Sequence, residues 1–241
     1  MINLLTANVN PKSGRYNLDK ITVLLKAQIA NSYDVGWLPK DILLLTNFDF
    51  EFAGIKAETI EFNPRCLTGS KMYAVRHALR RDVVVWAHDL DAWQNVWFDC
   101  PEMLDVAAAT YDGRKYNGGS IFWRPESVDL VKKIIRMIDK EEATYEENVL
   151  NRVFKKHKAR VTKLNFDYNV GCSNYRERWG KGDKPIKVAH FHPYNRIAWE
   201  THALDRCQLG AKGITNRLEV ILRDYYTLAT ELKTTQEVIA V

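Results

Sequence analysis

Short unbroken apolar runs alternate along this chain with longer stretches whose apolar positions recur at helical spacing. Ile2 to Val9 is an apolar strand that stops at Asn10-Pro11. Leu18 to Ser32 follows as a helix, with Ile21, Leu24, Leu25 and Ile29 on one face. Asp41 to Thr46 gives a second strand, and Ile55 to Phe62 a third, weaker one. Gly69 to Arg80 reads as a helix with Met72, Val75, His77 and Ala78 inward, and it leads directly into Val83 to Ala87. The β-branched density of that last run is that of a strand covered on both faces, so the βαβ rhythm predicts a largely parallel sheet with crossover helices.

Downstream, Val106 to Tyr111 and Gly119 to Trp123 are predicted strands separated by a polar turn around Asp112-Gly113-Arg114. Ser127 to Lys140 is an amphipathic helix, and Thr144 to Lys156 is another, with Val149, Leu150, Val153 and Phe154 on its apolar face. Val161 to Leu164 and Ile186 to Phe191 are expected to close the sheet. Cys172 to Pro185 is polar and contains glycine, so it reads as a loop. Thr215 to Lys233, with Leu218, Ile221, Leu222, Tyr225 and Leu228, predicts a terminal helix. With no internal repeat and no low-complexity linker, residues 1–241 read as a single α/β domain with a C-terminal helix at about 212–235.

The candidate chemistry lies where the Val83 strand ends, at His88-Asp89-Leu90-Asp91. In open α/β sheets ligands bind beyond the carboxyl ends of the strands. Asp89 and Asp91 are two residues apart, so either a continuing strand puts both carboxylates on one side or a turn converges them. Hard oxygen ligands of this kind suit Mg²⁺ or Mn²⁺ held together with a substrate phosphate.

Composition changes this picture little. The chain is 46% hydrophobic and 27% charged, ordinary for a soluble globular protein. It has neither a long apolar run of membrane-spanning length nor the order of a signal peptide, which predicts a cytoplasmic protein without a membrane anchor, in the host cytoplasm if viral. Cys66, Cys100, Cys172 and Cys207 are too scattered for a zinc ribbon or a disulfide framework and are expected to be reduced and mostly buried. The net charge of +5 suits an anionic substrate or a nucleic-acid partner without deciding between them.

Several short motifs carry a family resemblance through their order: Asp89-Leu90-Asp91, then Tyr116-Asn117-Gly118-Gly119-Ser120-Ile121-Phe122, Glu146-Glu147-Asn148-Val149-Leu150-Asn151, Asp167-Tyr168-Asn169, and Ala189-His190-Phe191 with Trp199 beyond. Over roughly residues 1–200 the chain resembles the metal-dependent nucleotide-sugar glycosyltransferases of the GT-A fold. Within them it is most similar to the retaining group of glycogenin and the lipooligosaccharide galactosyltransferases. The resemblance implies a Rossmann-like, mixed but mainly parallel sheet flanked by helices, and a nucleotide-sugar donor, expected to be a UDP-sugar.

Carried over to this sequence, the resemblance makes Asp89 and Asp91 ligands of a divalent cation, Mn²⁺ or Mg²⁺, that bridges the donor's two phosphates. His190 would be a third ligand. Ala7 and Asn8 would lie by the base or ribose, and Lys71 and Arg196 would add positive charge for the phosphates. Asn117 would meet the sugar, with Gly118 and Gly119 letting the backbone approach it. Glu146 and Glu147 stand where the family often has Asp-Gln, near the reactive carbon. The family's glycine-and-lysine segment after the histidine is here His192-Pro193-Tyr194-Asn195-Arg196, a departure at the phosphate contact.

Each motif also has a plainer reading. His190 and His192 form an H-x-H pair that would more often be one core and one exposed histidine. Glu146 and Glu147 would favour a helix dipole as exposed residues, and Asn117-Gly118-Gly119 would make a tight turn. Trp86, Trp93, Trp97 and Trp123 read as packing residues, with Trp93 also a candidate for the acceptor site. The acceptor is open. Tyr175 and Trp179 interleaved with Arg176, Arg178, Lys181 and Lys184 would suit DNA carrying hydroxymethylated bases, while a glycan, a lipid-linked sugar or a protein are the other acceptors. A nucleotidyltransferase or a non-catalytic nucleotide-binding module is the competing class. The first would carry a glycine-rich turn after the first strand, and Ala7 to Lys12 has no glycine.

Overall fold

The computed structural model describes residues 1–9, 18–62, 69–110, 115–141, 146–171, 184–191, 213–225 and 227. Its main sheet is built from β1 (Ile2–Ala7), β2 (Ile42–Thr46), β5 (Glu58–Thr59), β6 (Val85–His88), β8 (Val106–Thr110), β9 (Tyr116–Trp123) and β10 (Val161–Leu164). These strands lie in the order β10-β8-β9-β6-β1-β2-β5. All neighbours are parallel except those of β9, which runs antiparallel between β8 and β6. The architecture is therefore mainly parallel, as the alternation of strands and helices predicts, and mixed, as the resemblance implies.

Helices cover both faces, which is why β1, β2, β6 and β8 are buried almost throughout. On one side α2 (Ser70–Ala78), α3 (Val128–Glu141) and α4 (Glu146–Lys156) pack Met72, Val75, Ile134, Ile138, Leu150 and Phe154 onto Leu4, Leu43, Ala87 and Ile121. On the other, α1 (Leu18–Asp34) lays Ile21, Leu25 and Ile29 against Leu5, Leu44, Trp86 and Phe122. A second sheet, β11-β12-β7, joins β11 (Val170–Gly171), β12 (Val188–His190) and β7 (Ala92–Gln94). The helix over 216–225, α5, covers it through Leu218, Leu222 and Tyr225.

Four expectations need correction. Ile186 to Phe191 does not close the main sheet: β12 pairs with β7 and β11, carrying His190 across to Asp91. The weak third strand is two short pieces, β4 (Ile55–Lys56), which pairs with β3 (Glu51–Phe52) in a separate hairpin, and β5. His77 does not face inward but lies half-exposed 3.1 Å from Glu58 Oε2. Trp93 cannot line an acceptor site, because it is wholly buried and packs against Tyr225. Trp86 and Trp123 are also buried, whereas Trp97 is half-exposed beside Trp37. Cys100 is exposed, and Cys66, Cys172 and Cys207 lie outside the described residues. So do the Asp112-Gly113-Arg114 turn, residues 172–183 of the expected loop, and the end of the predicted terminal helix.

Candidate metal centre

The site forms where the carboxyl end of β6 meets the amino end of β9, as antiparallel pairing requires, with Asp89 N donating to Gly119 O at 3.0 Å. The chain then turns, Ala92 N donating back to Asp89 O at 3.0 Å, so a turn and not a continued strand converges the two carboxylates. Side chains from beneath hold this turn. Gln28 on α1 donates to Leu90 O at 2.7 Å and to Ala92 O at 3.1 Å. His88 Nδ1 faces the carbonyls of Asp89 and Ala92 at 3.0 and 3.1 Å.

His190 arrives from the second sheet, with Phe191 N bonded to Asp91 O at 2.9 Å. Its Nε2 lies 3.2 Å from Asp91 Oδ1 and 3.7 Å from Asp89 Oδ2. One donor atom from each of Asp89, Asp91 and His190 can be drawn such that all lie within 4.8 Å of one another, two hard oxygens and one imidazole nitrogen. That donor set fits a divalent cation of the Mn²⁺ or Mg²⁺ class. The imidazole can sit here only because Gly119 has no side chain. A Cβ there would overlap the ring and come within 2.8 Å of Asn117 Oδ1.

Lys71, in the first turn of α2, contacts Asp89 Oδ1 and the Gly118 carbonyl and lies 3.8 Å from Glu146 Oε1. Burial opposes its charge, but Asp89 and Glu146 more than offset it and hold the ammonium above its ordinary pKa. Glu146 is buried at the start of α4, not exposed as the plainer reading supposes. Likewise Asn117-Gly118-Gly119 is part of strand β9 and not a turn. Burial also opposes the imidazolium of His190, and here too Asp91 and Asp89 outweigh it and raise the pKa. Asn8 lies beside Lys71's helix, donating to Ser70 Oγ at 2.7 Å, and Ala7 is buried at the end of β1. Arg196, His192 and Trp199 fall outside the described residues.

Two residues were given no role from sequence, although Asn169 belongs to the Asp167-Tyr168-Asn169 motif. Gln28 sits on the buried stripe of α1, where a lone amide signals a partner in the core. Asn169 accepts at Oδ1 from His190 Nδ1 over 3.1 Å and gives its Nδ2 to Asn117 Oδ1 at 2.5 Å.

His88 supports a pH prediction. Burial pushes its pKa from 6.5 down to about 4. Between those values the unfolded chain takes up a proton that the folded one refuses. Stability present above pH 6.5 should therefore fall with pH, by up to about 3 kcal/mol at pH 4. His190, shifted the other way, opposes this trend, so the test is a comparison: urea midpoints from pH 7 to 4 should fall less steeply for His88→Gln than for wild type.

No protein-family model matches the sequence, and no curated protein matches it by sequence. Solved structures do. A glycosyltransferase involved in glycosylation of the major capsid of PBCV-1 superposes with a TM-score of 0.52 at 12% identity, over 84% of this chain and 97% of that one. The glycosyltransferase GlyE of Streptococcus pneumoniae TIGR4 gives 0.57 at 13% identity, over 98% of this chain and 64% of its own length. The bifunctional glycosyltransferase WbbM gives 0.53 at 13% identity, over 81% of this chain and 46% of its own. The fold is that of glycosyltransferases. Within this glycosyltransferase fold the carboxylate–imidazole cluster lies at the strand edge where α/β sheets bind their ligands. The chain spans less than two thirds of GlyE and about half of WbbM. Among the described residues no helix is long and apolar enough to cross a membrane.

Proposed function

We propose that this protein is a metal-dependent glycosyltransferase that moves a sugar from a nucleotide diphosphate sugar, a UDP-sugar by preference, to an acceptor hydroxyl with retention of configuration. The observation that carries the reading is the convergence of Asp89 and Asp91, on the turn that leads from the main sheet to the second, with His190 on the second sheet. A structural role would not need two carboxylates and an imidazole gathered at the ligand-binding edge of such a fold.

Asp89, Asp91 and His190 would hold Mn²⁺ or Mg²⁺, which would offset the charge that gathers on the departing diphosphate. Ala7 and Asn8 border the place for the nucleoside, and Arg196 is assigned to the phosphates by resemblance. Lys71 fixes the orientation of Asp89 and lends a positive charge to the same region. Gly118, where an added Cβ would stand 3.2 Å from Glu146 Oε1, keeps the floor of the sugar site low. Glu146 and Glu147 are the carboxylates for the sugar hydroxyls and an oxocarbenium-like centre, with Asn117 beside them.

For the acceptor we favour a hydroxymethylated base in DNA. The support is the net charge of +5 and the aromatic and basic residues from Tyr175 to Lys184. A protein acceptor is the second reading, favoured by the likeness to the PBCV-1 enzyme.

Calorimetric titration with UDP, GDP and CDP, each with Mn²⁺ and with chelator, tests the donor side. The expected result is binding of one nucleoside diphosphate that disappears with chelator. Binding of none of them with Mn²⁺, or binding indifferent to the chelator, would contradict the proposal.

A further inference from the structure

The polar groups behind His190 form a directed chain whose polarity follows from a backbone amide. The N–H of Gly119 can only donate, and it lies 2.7 Å from one end of the Asn117 side chain, so that end must be the oxygen Oδ1. The other end, Nδ2, then faces Glu147 Oε2 at 3.3 Å, a carboxylate that accepts. Because Asn117 Oδ1 is an acceptor, the Asn169 atom 2.5 Å from it must be the donor Nδ2. That leaves Asn169 Oδ1 facing His190 Nδ1 at 3.1 Å, and an oxygen acceptor there requires the proton on Nδ1.

Every step runs in one direction, from His190 through Asn169 and Asn117 to Glu147. An amide turned around at either asparagine would set two donors or two acceptors face to face in a region where Asn117, Asn169 and His190 are all buried. Nε2 faces acceptors too, Asp91 Oδ1 at 3.2 Å and Asp89 Oδ2 at 3.7 Å, which favour a second proton on the ring until a cation takes its place; with Nδ1–H held by Asn169, the proton given up is the one on Nε2.

We propose that Asn117 and Asn169, anchored by the Gly119 N–H and the Glu147 carboxylate, hold a proton on His190 Nδ1 and so make Nε2 the nitrogen offered to a divalent cation. The consequence for the cation rests on the metal reading above; the lock itself does not. Glu147 and Asn117 thereby position His190 through Asn169, besides the roles proposed for them toward the sugar, while Glu146 Oε1 lies 3.8 Å from Lys71 Nζ. Partners of this kind orient metal-bound histidines generally, and losing one costs about 10–100-fold in metal affinity.

The test follows the ring protons of His190 in long-range proton–nitrogen NMR spectra of metal-free protein labelled with ¹⁵N-histidine. The resonance of His190 is identified by its loss in His190→Gln. Wild type should show a proton on Nδ1 that exchanges slowly with water. Asn169→Ala and Asn117→Ala should both lose that protection. Asn169→Asp, which keeps an acceptor for Nδ1–H but sets its other oxygen against Asn117 Oδ1, should retain the slowly exchanging proton at a cost in stability. Mn²⁺ titrated alone should bind Asn169→Ala about 10–100-fold more weakly than wild type.

A wild-type His190 without a proton on Nδ1, or an Asn169→Ala variant that is folded and keeps a slowly exchanging Nδ1–H, would overturn the lock. A slowly exchanging wild-type Nδ1–H in a protein that takes up no Mn²⁺, with or without nucleoside diphosphate, would uphold the lock and overturn the metal reading.

Discussion

Replacing Asp91 by alanine should lower sugar transfer about a thousandfold or more, the equivalent of some 4 kcal/mol of transition-state stabilisation lost with the cation's charge. The fold should survive. Asp91 lies in a turn with its side chain 17% exposed, and the bond that joins the turn to the second sheet is made by its backbone carbonyl, which alanine keeps. Removing the carboxylate leaves His190 with Asp89 as its remaining partner in the cluster. The near-ultraviolet circular dichroism spectrum and the melting temperature should match wild type while transfer and Mn²⁺ uptake are lost. A folded Asp91→Ala protein with wild-type transfer would remove Asp91 from the site.

Gly119→Ala should do comparable damage to metal binding and, unlike Asp91→Ala, destabilise the protein. The added Cβ would overlap the imidazole of His190 and press on Asn117 Oδ1 in a strand buried from Asn117 to Trp123. Overpacking of this kind costs about 1–3 kcal/mol, a melting temperature lower by about 3–10 °C in a chain of this length. The neighbouring Gly118→Ala provides the comparison. Its Cβ would meet Glu146 Oε1 at 3.2 Å and Leu150 Cδ1 and Lys71 Nζ at 3.6 Å, contacts that flexible side chains can relieve. Scanning calorimetry and Mn²⁺ titration of both variants should rank Gly119→Ala as clearly worse on both measures. Equal melting temperatures with full Mn²⁺ affinity in both would contradict this placement of His190.

What was legible in the sequence was what periodicity encodes. β1, β2, β6 and β8 are covered on both faces by helices, so their apolar runs are continuous, and α1, α3 and α4 carry stripes that match their buried faces. The Asp89-Leu90-Asp91 cluster was visible because it directly follows such a run. His190 was visible through resemblance, but its placement on a second sheet was not, because a three-residue strand has no period to read. The hairpin at β3 and β4 was missed for a related reason. Its loop residues Ala53 and Gly54 both have positive φ, and alanine gives no turn signal.

The roles of the supporting residues escaped for a different reason. Gln28 and Asn169 are polar residues in apolar surroundings, and their meaning lies in partners 62 and 21 residues away in sequence. No local pattern records such a separation. His77 went wrong because helical spacing places it near the inner stripe, and the pairing with Glu58 on the neighbouring edge strand draws it outward.

The most direct test of the central claim is release of nucleoside diphosphate from a panel of nucleotide sugars, UDP-sugars first, by purified protein with Mn²⁺ and hydroxymethylated DNA or protein as acceptor. The account predicts release from at least one donor, stimulated by an acceptor, abolished by chelator and restored by added Mn²⁺. Release that continues in chelator, or no release from any donor by a protein that binds Mn²⁺ at Asp89, Asp91 and His190, would contradict it.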